Sequence, residues 1–406
     1  MAWRNIWRNT RRSVLTISAI CFACMILVFM LSFQLGSYET MINASVNMST
    51  GHLQVQSAGY HKKKSMRLVV SQPGEIGGIL EKIPGIAAYT FRANAFSLVS
   101  SNKRSRGVLV TGIDPEREAC VSTIKTMISH GRYLEQSDTN QVIVGNLLAK
   151  SLRVKPGDEL TILGQGRDGS IAATAVIVKG ILSSGIDAFD RSTMQIPLQY
   201  FQAVYSMGDA VHEVVITAKS LKKVSKIKKD IQKGIDAAGR GNGLVVLDWM
   251  ELIPGLLQGI EMDLVSGMIM YLVLIIVVAF SILNTFLMSI FERTREFGML
   301  MAIGTTPGRL IKLVLIESMS LTLVGIVLGI VCGSLITLFF QSHGIDMSGS
   351  SEFMKQYGIP ARLYPRLSLV SALVGPAAVF VITFLAALFP AVGIRKLKPV
   401  EAMTHI

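Results

Sequence analysis

Charged residues are scarce in this chain. They make up 17% of its 406 residues, while half of the residues are hydrophobic. An ordinary soluble domain carries about 25% charged residues, so the shortfall implies apolar segments concentrated along the sequence. The length implies two or three structural units. Cysteine is nearly absent, with four in all. Cys21, Cys24 and Cys332 fall inside apolar runs, where cysteine acts as a small apolar side chain. Cys120 has no evident pairing partner, so no disulfide framework or metal-ligand spacing is implied. No Gly-Lys pair occurs, which excludes the usual phosphate-cradling loop. H-E-x-x-H and G-x-S-x-G are also missing, and the six histidines are scattered without ligand spacing. The chain is therefore not read as an enzyme, and no metal or cofactor is assigned to it.

Positive charge is abundant, with a formal net charge of +13. Such a figure points first to nucleic acid, but the positions point to a membrane. Arg4, Arg8, Arg11 and Arg12 precede an apolar run, Arg293, Arg295, Arg309 and Lys312 lie between two others, and Arg395, Lys396 and Lys398 follow the last. Basic residues are retained on the side of the membrane where the chain is made. Four runs reach the roughly 20 residues needed to cross a bilayer. The expected layout is a cytoplasmic basic segment at 1–13, spans at 14–35, 266–291, 310–340 and 367–392, and a large outer domain at 36–265. A cytoplasmic elbow at 292–309, an outer loop at 341–366 and a cytoplasmic tail at 393–406 complete it. The fold class is thus an α-helical membrane protein with four transmembrane helices and a large mixed α/β extracytoplasmic domain between the first and second. Gly375-Pro376 is expected to kink the last span.

The long segment has soluble character. Gly51 to Gln56, Val108 to Thr111 and Val142 to Val144 read as strands. A helix is expected over Asn146 to Leu152, a turn at Lys155 to Asp158, a strand at Glu159 to Leu163, and a hairpin turn at Gln165 to Gly169 leading into Ala172 to Lys179. Leu221, Val224, Ile227, Ile231 and Ile235 share one helical face, with lysines around them. Two lobes are expected, divided near Pro115 and near Tyr205.

Polar residues inside the spans are few. Glu317 lies close to Arg309 and Lys312 and reads as half of a local ion pair. Asn284 reads as a hydrogen-bonding group between helices. Gly325, Gly329 and Gly333 repeat G-x-x-x-G in register, which lets another helix approach closely. In the elbow, Glu292, Arg293, Arg295 and Glu296 precede Phe297, Met299, Leu300 and Met301. Gly304 is placed to end a short helix and Pro307 to begin the next, with Thr305 or Thr306 as its cap. This pattern fits either a helix resting on lipid or an element that docks a soluble partner.

The stretch Glu292 to Gly304, followed by Glu317 and the glycine stripe, resembles the carboxyl-terminal module of the FtsX-like/MacB-like permeases of bacterial ABC transporters. So do Phe389-Pro390-Ala391, Lys398-Pro399-Val400-Glu401-Ala402, the opening Ala2 to Asn9 and the segment Gly51 to Val55. Val144 to Ala149, Pro156 to Leu160 and Gly180 to Asp190 are similar to the lipoprotein-releasing Lol permeases. The resemblance implies residence in the bacterial cytoplasmic membrane and two permease chains, identical or related. It also implies separate ABC ATPase subunits that hold the ATP and Mg, and a lipoprotein, lipid or other amphiphilic substrate. The elbow would receive the ATPase: Phe297, Met299, Leu300 and Met301 filling a groove, Glu292, Arg293, Arg295 and Glu296 setting its register. The alternative it implies is a signalling permease that activates an outer partner such as a cell-wall hydrolase.

Overall fold

The computed structural model describes residues 10–102, 104–241, 243–347 and 362–393. The basic residues Arg4 and Arg8, those at Arg395, Lys396 and Lys398, and much of 341–366 lie outside the described residues. Helix α1 (Thr10–Ser45) leads through a π turn (Val46–Thr50) into β1 (Leu53–Ser57), α2 (Tyr60–Lys63) and α3 (Pro73–Leu80). Then come β2 (Ile86–Ser100), β3 (Ser105–Ile113), α4 (Pro115–Val121), β4 (Ile128–Gly131), β5 (Gln141–Gly145) and α5 (Asn146–Leu152). These are followed by β6 (Glu159–Gln165), β7 (Ile171–Leu182), α6 (Asp187–Ser192), β8 (Thr193–Pro197), α7 (Leu198–Val204) and β9 (Glu213–Ala218). Next are α8 (Val224–Ala237), β10 (Leu244–Asp248), α9 (Trp249–Leu252) and α10 (Pro254–Glu292). The described residues end with α11 (Thr294–Ala302), α12 (Pro307–His343), β11 (Ile345–Asp346), β12 (Arg362–Leu363) and α13 (Leu369–Gly393). The described residues form an α/β unit, Met41–Gln258, and a helical unit built from residues up to Thr40, from Gly259–Met347 and from Arg362 onward.

In the α/β unit ten strands join one sheet in the order β10-β1-β9-β2-β3-β8-β5-β7-β4, with β6 paired to β2 and β7. Side chains alternate across a strand, and along one face of this sheet lie two cores, toward opposite ends of β2. Ala93, Ala95 and Val99 of β2 meet Val108, Val110, Val142, Val144, Met194 and Ile196 in the first. Leu53, Val55, Val214, Ile216 and Val246 form the second with Ile227, Ile231 and Ile235 of α8. The spacing of those isoleucines puts them on one stripe of the helix, leaving the lysines outside. Strand β2, 15 residues long, runs from one core to the other. Near its middle the buried Arg92 reaches α4, where its Nη2 lies 2.6 Å from Glu118 Oε1. Asp114 fixes the start of α4 by accepting from the backbone N–H groups of Glu116 and Arg117.

Among the described residues, four helices are long and apolar enough to cross a membrane. The apolar runs stop at 35 and start again at 266, but α1 continues to Ser45 and α10 begins at Pro254. Apolar length reports lipid contact, whereas the backbone ladder persists through the polar turns beyond it. Ile20, Cys24 and Leu27 of α1, Ile282 and Phe286 of α10, Ile326 of α12, and Val379 and Ala387 of α13 share one core. Helix α13 runs unbroken through Pro376 and Pro390. Two buried hydroxyls, Ser32 Oγ and Ser371 Oγ, join α1 to α13 at 2.9 Å.

The glycine stripe packs within the chain. A Cβ at Gly325 would lie 2.8 Å from Ile20 Cβ, one at Gly329 would lie 2.5 Å from Cys24 Cβ and 2.7 Å from the Cys21 carbonyl, and one at Gly333 would lie 3.0 Å from Val28 Cβ. Only glycine permits α12 this approach to α1. Asn284 is exposed on α10, and no hydrogen bond joins it to another helix among the described residues. Its position explains this: the neighbours buried in the helical core, Ile282 and Phe286, point elsewhere around the helix.

Candidate functional site

The elbow between α10 and α12 is a nine-residue helix, α11, with two distinct apolar faces. One face is spent inside the chain. Phe297, 1% exposed, packs with Ile290 at the end of α10 and with Leu310 and Val314 of α12, and Met301 lies against the same cluster. The other face is bare: Met299, Leu300 and Ile303 are 49%, 39% and 84% exposed. Positions 297 and 301 are one turn apart, as are 299 and 303, so the two stripes follow from helical periodicity.

The charged residues divide in the same way. Arg293 Nη1 donates to Glu317 Oε2 on α12 at 2.9 Å, and its Nε donates to Glu296 Oε2 at 3.1 Å. The guanidinium also lies 5.4 Å from the centre of the Phe297 ring. Both Arg293 and Glu317 are largely buried, which raises the strength of such a charge-assisted contact over a surface pair. Glu292 and Arg295 are exposed.

Helix α11 ends in a closed geometry. Gly304 takes a positive φ of 100°. Its N–H donates to the Met301 carbonyl, and the next N–H, of Thr305, donates to the Leu300 carbonyl at 3.0 Å. This pair of bonds is the Schellman motif, which favours glycine at the left-handed position. Thr306 then stands in extended conformation before Pro307 at the first turn of α12, without a side-chain cap bond.

Three expectations change. Phe297 and Met301 are not free to fill another protein's groove, because the elbow needs them for its own anchorage. Arg293 is committed to its own chain. Glu317 pairs with Arg293, 24 residues earlier, and not with Arg309 or Lys312. On a helix, a residue eight positions away is about 12 Å along the axis, and one five positions away is about 8 Å along it and on another face. Ile303 also belongs to the bare face, four positions from Met299, a spacing visible in the sequence.

The opposite end of the spans carries a second polar clamp. Gln34 Nε2 donates to Tyr38 Oη at 2.7 Å and to Asp263 Oδ2 at 3.1 Å, while Tyr271 Oη donates to Gln34 Oε1 at 2.8 Å. The first and second spans are thereby tied together about 45 Å from Arg293, at 1.5 Å per residue along α10.

Comparison with known proteins gives two family models. Residues 13–233 match the MacB-like periplasmic core domain, and residues 268–399 match the FtsX-like permease C-terminal model. The lipoprotein-releasing system transmembrane protein LolC of Neisseria meningitidis is 21% identical over 344 residues, covering 81% of this chain and 79% of that one. The macrolide export ATP-binding/permease protein MacB of Nitrosomonas europaea is 22% identical over 372 residues, covering 83% of this chain and 52% of that one. The solved periplasmic region of MacB from Actinobacillus actinomycetemcomitans aligns over 54% of this chain and 95% of its own, at 13% identity and a TM-score of 0.38.

Proposed function

We propose, from the premise that this chain belongs to the ABC transporter permease family with a MacB-like periplasmic core domain and an FtsX-like carboxyl-terminal module, that it turns ATP hydrolysis in a separate subunit into movement of its α/β unit. In this reading the elbow faces the cytoplasm and the α/β unit faces outward across the bacterial inner membrane. The observation that carries it is the division of α11. One face is bolted to α12 through Phe297 and the Arg293–Glu317 pair, and the other presents Met299, Leu300 and Ile303. A push on the bare face has a stiff route into α12, and from there along the glycine contact into α1. Two permease chains act together, and ATP with Mg is held by the partner ATPase. The substrate is a lipoprotein or another amphiphile, as the name of the LolC relative suggests.

The test is ATPase stimulation in the reconstituted complex. Leu300→Asp or Met299→Asp is expected to reduce stimulation about tenfold or more, the scale of losing an interface hot spot, with the melting temperature of the permease unchanged. Full stimulation by a well-folded Leu300→Asp chain overturns the docking role.

A further inference from the structure

The α/β unit contains a cavity of about 570 Å³, within the size range of small-ligand sites. Strand register orders its floor. Asn94 on β2 is opposite Thr111 on β3, which is opposite Gln195 on β8. The adjacent row, one strand repeat or about 7 Å away, is Phe96, Leu109 and Thr193. All six line the cavity, on the face turned away from the first core. A polar row therefore runs beside a largely apolar one, in which Phe96 is 76% exposed.

The polar row is prearranged except at one end. Thr111 Oγ1 donates to Asn94 Oδ1 at 3.0 Å, and Asn94 Nδ2 donates to the Tyr60 hydroxyl at 3.3 Å. Tyr60 stacks on His212, whose Nδ1 accepts from the Asn94 backbone N–H at 2.9 Å. Gln195 stands outside this network. The residue is 3% exposed, and its Oε1 has no hydrogen-bond partner among the described residues. Two more residues lining the cavity, Thr50 and His61, also hold a buried polar atom without a partner. Buried polar groups are normally paired, and an unpaired one keeps its desolvation penalty until something bonds to it.

The charges at the cavity are already matched. Lys64 Nζ lies 3.3 Å from Glu213 Oε1, and Arg92 is held by Glu118 and by the Ser49 carbonyl. An anionic headgroup or phosphate would have to break one of these pairs. An uncharged amide would not. A secondary amide offers one donor and one acceptor, the complement of a glutamine side chain. The terminal torsion of glutamine is broad enough to turn either atom toward a ligand.

We infer that this cavity binds an uncharged peptide segment, its backbone amide paired with Gln195 and an apolar side chain lying on Phe96 and Leu109. The inference goes beyond the coupling role and needs no ATPase, so either can fail alone. The test uses the full chain in nanodiscs and a dye-labelled peptide, Ser-Leu-Ser-Leu-Ser, acetylated and amidated, followed by fluorescence anisotropy with empty nanodiscs as the blank. Wild type is expected to bind saturably. Gln195→Leu is expected to bind about tenfold more weakly, since a ligand hydrogen bond is lost, while melting no lower than wild type. A glutamine with a purely structural role would instead lower the melting temperature on replacement. Absence of saturable binding, equal binding by Gln195→Leu, equal binding of a backbone N-methylated peptide, or displacement of the peptide by a neutral oligosaccharide at lower concentration would each overturn the assignment.

Discussion

Arg92 and Glu118 are both buried and bound to one another on neighbouring elements. Removing one partner leaves the other charge stranded away from water, which costs about 3–5 kcal/mol. Glu118→Ala is therefore expected to lower the denaturant midpoint of the chain sharply. Replacing both residues, as in Arg92→Met with Glu118→Leu, should recover much of that loss. His212 carries a pH dependence. Its pKa is lowered from 6.5 to about 4, chiefly by burial, which outweighs the Met66 carbonyl and Glu213, while the nearby Lys64 and Arg167 act with burial. Its Nδ1 must stay unprotonated to accept from Asn94. In the folded state the group resists protonation, so between pH 6.5 and about 4 the unfolded chain binds the extra proton. Stability is complete above pH 6.5 and falls as the pH drops through that window, by about 3 kcal/mol in total. Thermal unfolding measured at pH 7 and at pH 5 should show the fall, and His212→Asn should reduce it. An equal fall in the variant would assign it to other groups, such as the buried His52, whose pKa burial also lowers.

Among the elements, local periodicity was legible where packing partners were near in sequence. The helix over Asn146–Leu152 and the stripe from Val224 to Ile235 stand where the apolar spacing puts them. The strand at Val142–Val144 lies within β5, and Glu159–Leu163 lies within β6. Sheet order was not legible, because apolar alternation names no partner: β2 pairs with β9, more than a hundred residues on. The elbow shows the same limit. Phe297 with Met301 and Met299 with Ile303 are equivalent stripes by spacing, and only the contacts with Ile290 and Leu310 decide which is internal. Gln195 was invisible for a related reason, since its polar row exists only across three strands. The glycine stripe was legible, but its partner was not. Gly329→Val would drive its side chain into the Cys21 carbonyl and Cys24. Such overpacking costs about 1–3 kcal/mol, so the variant should melt below wild type in detergent. A melting temperature equal to wild type would show that α12 does not approach α1 so closely. At the other joint, Phe297→Ala should destabilise the chain by about 3 kcal/mol, whereas Met299→Ala should fall within about 0.5 kcal/mol of wild type.

For the whole molecule, membrane topology is the first requirement of the coupling account. Cysteines placed at Ile303 and at Leu163 should react with an impermeant thiol reagent from opposite sides of intact membranes. Energy received at the bare face of α11 is expected to reach the α/β unit. Cys120, exposed on α4 of that unit, is a native handle for a spin label. The decisive measurement follows the label-to-label distance between two permease copies in the reconstituted complex, with and without ATP. The account predicts an ATP-dependent change in wild type that disappears in Leu300→Asp although that variant stays folded. A complex that hydrolyses ATP at full rate while the Cys120 distance stays fixed, or moves equally in Leu300→Asp, would contradict it.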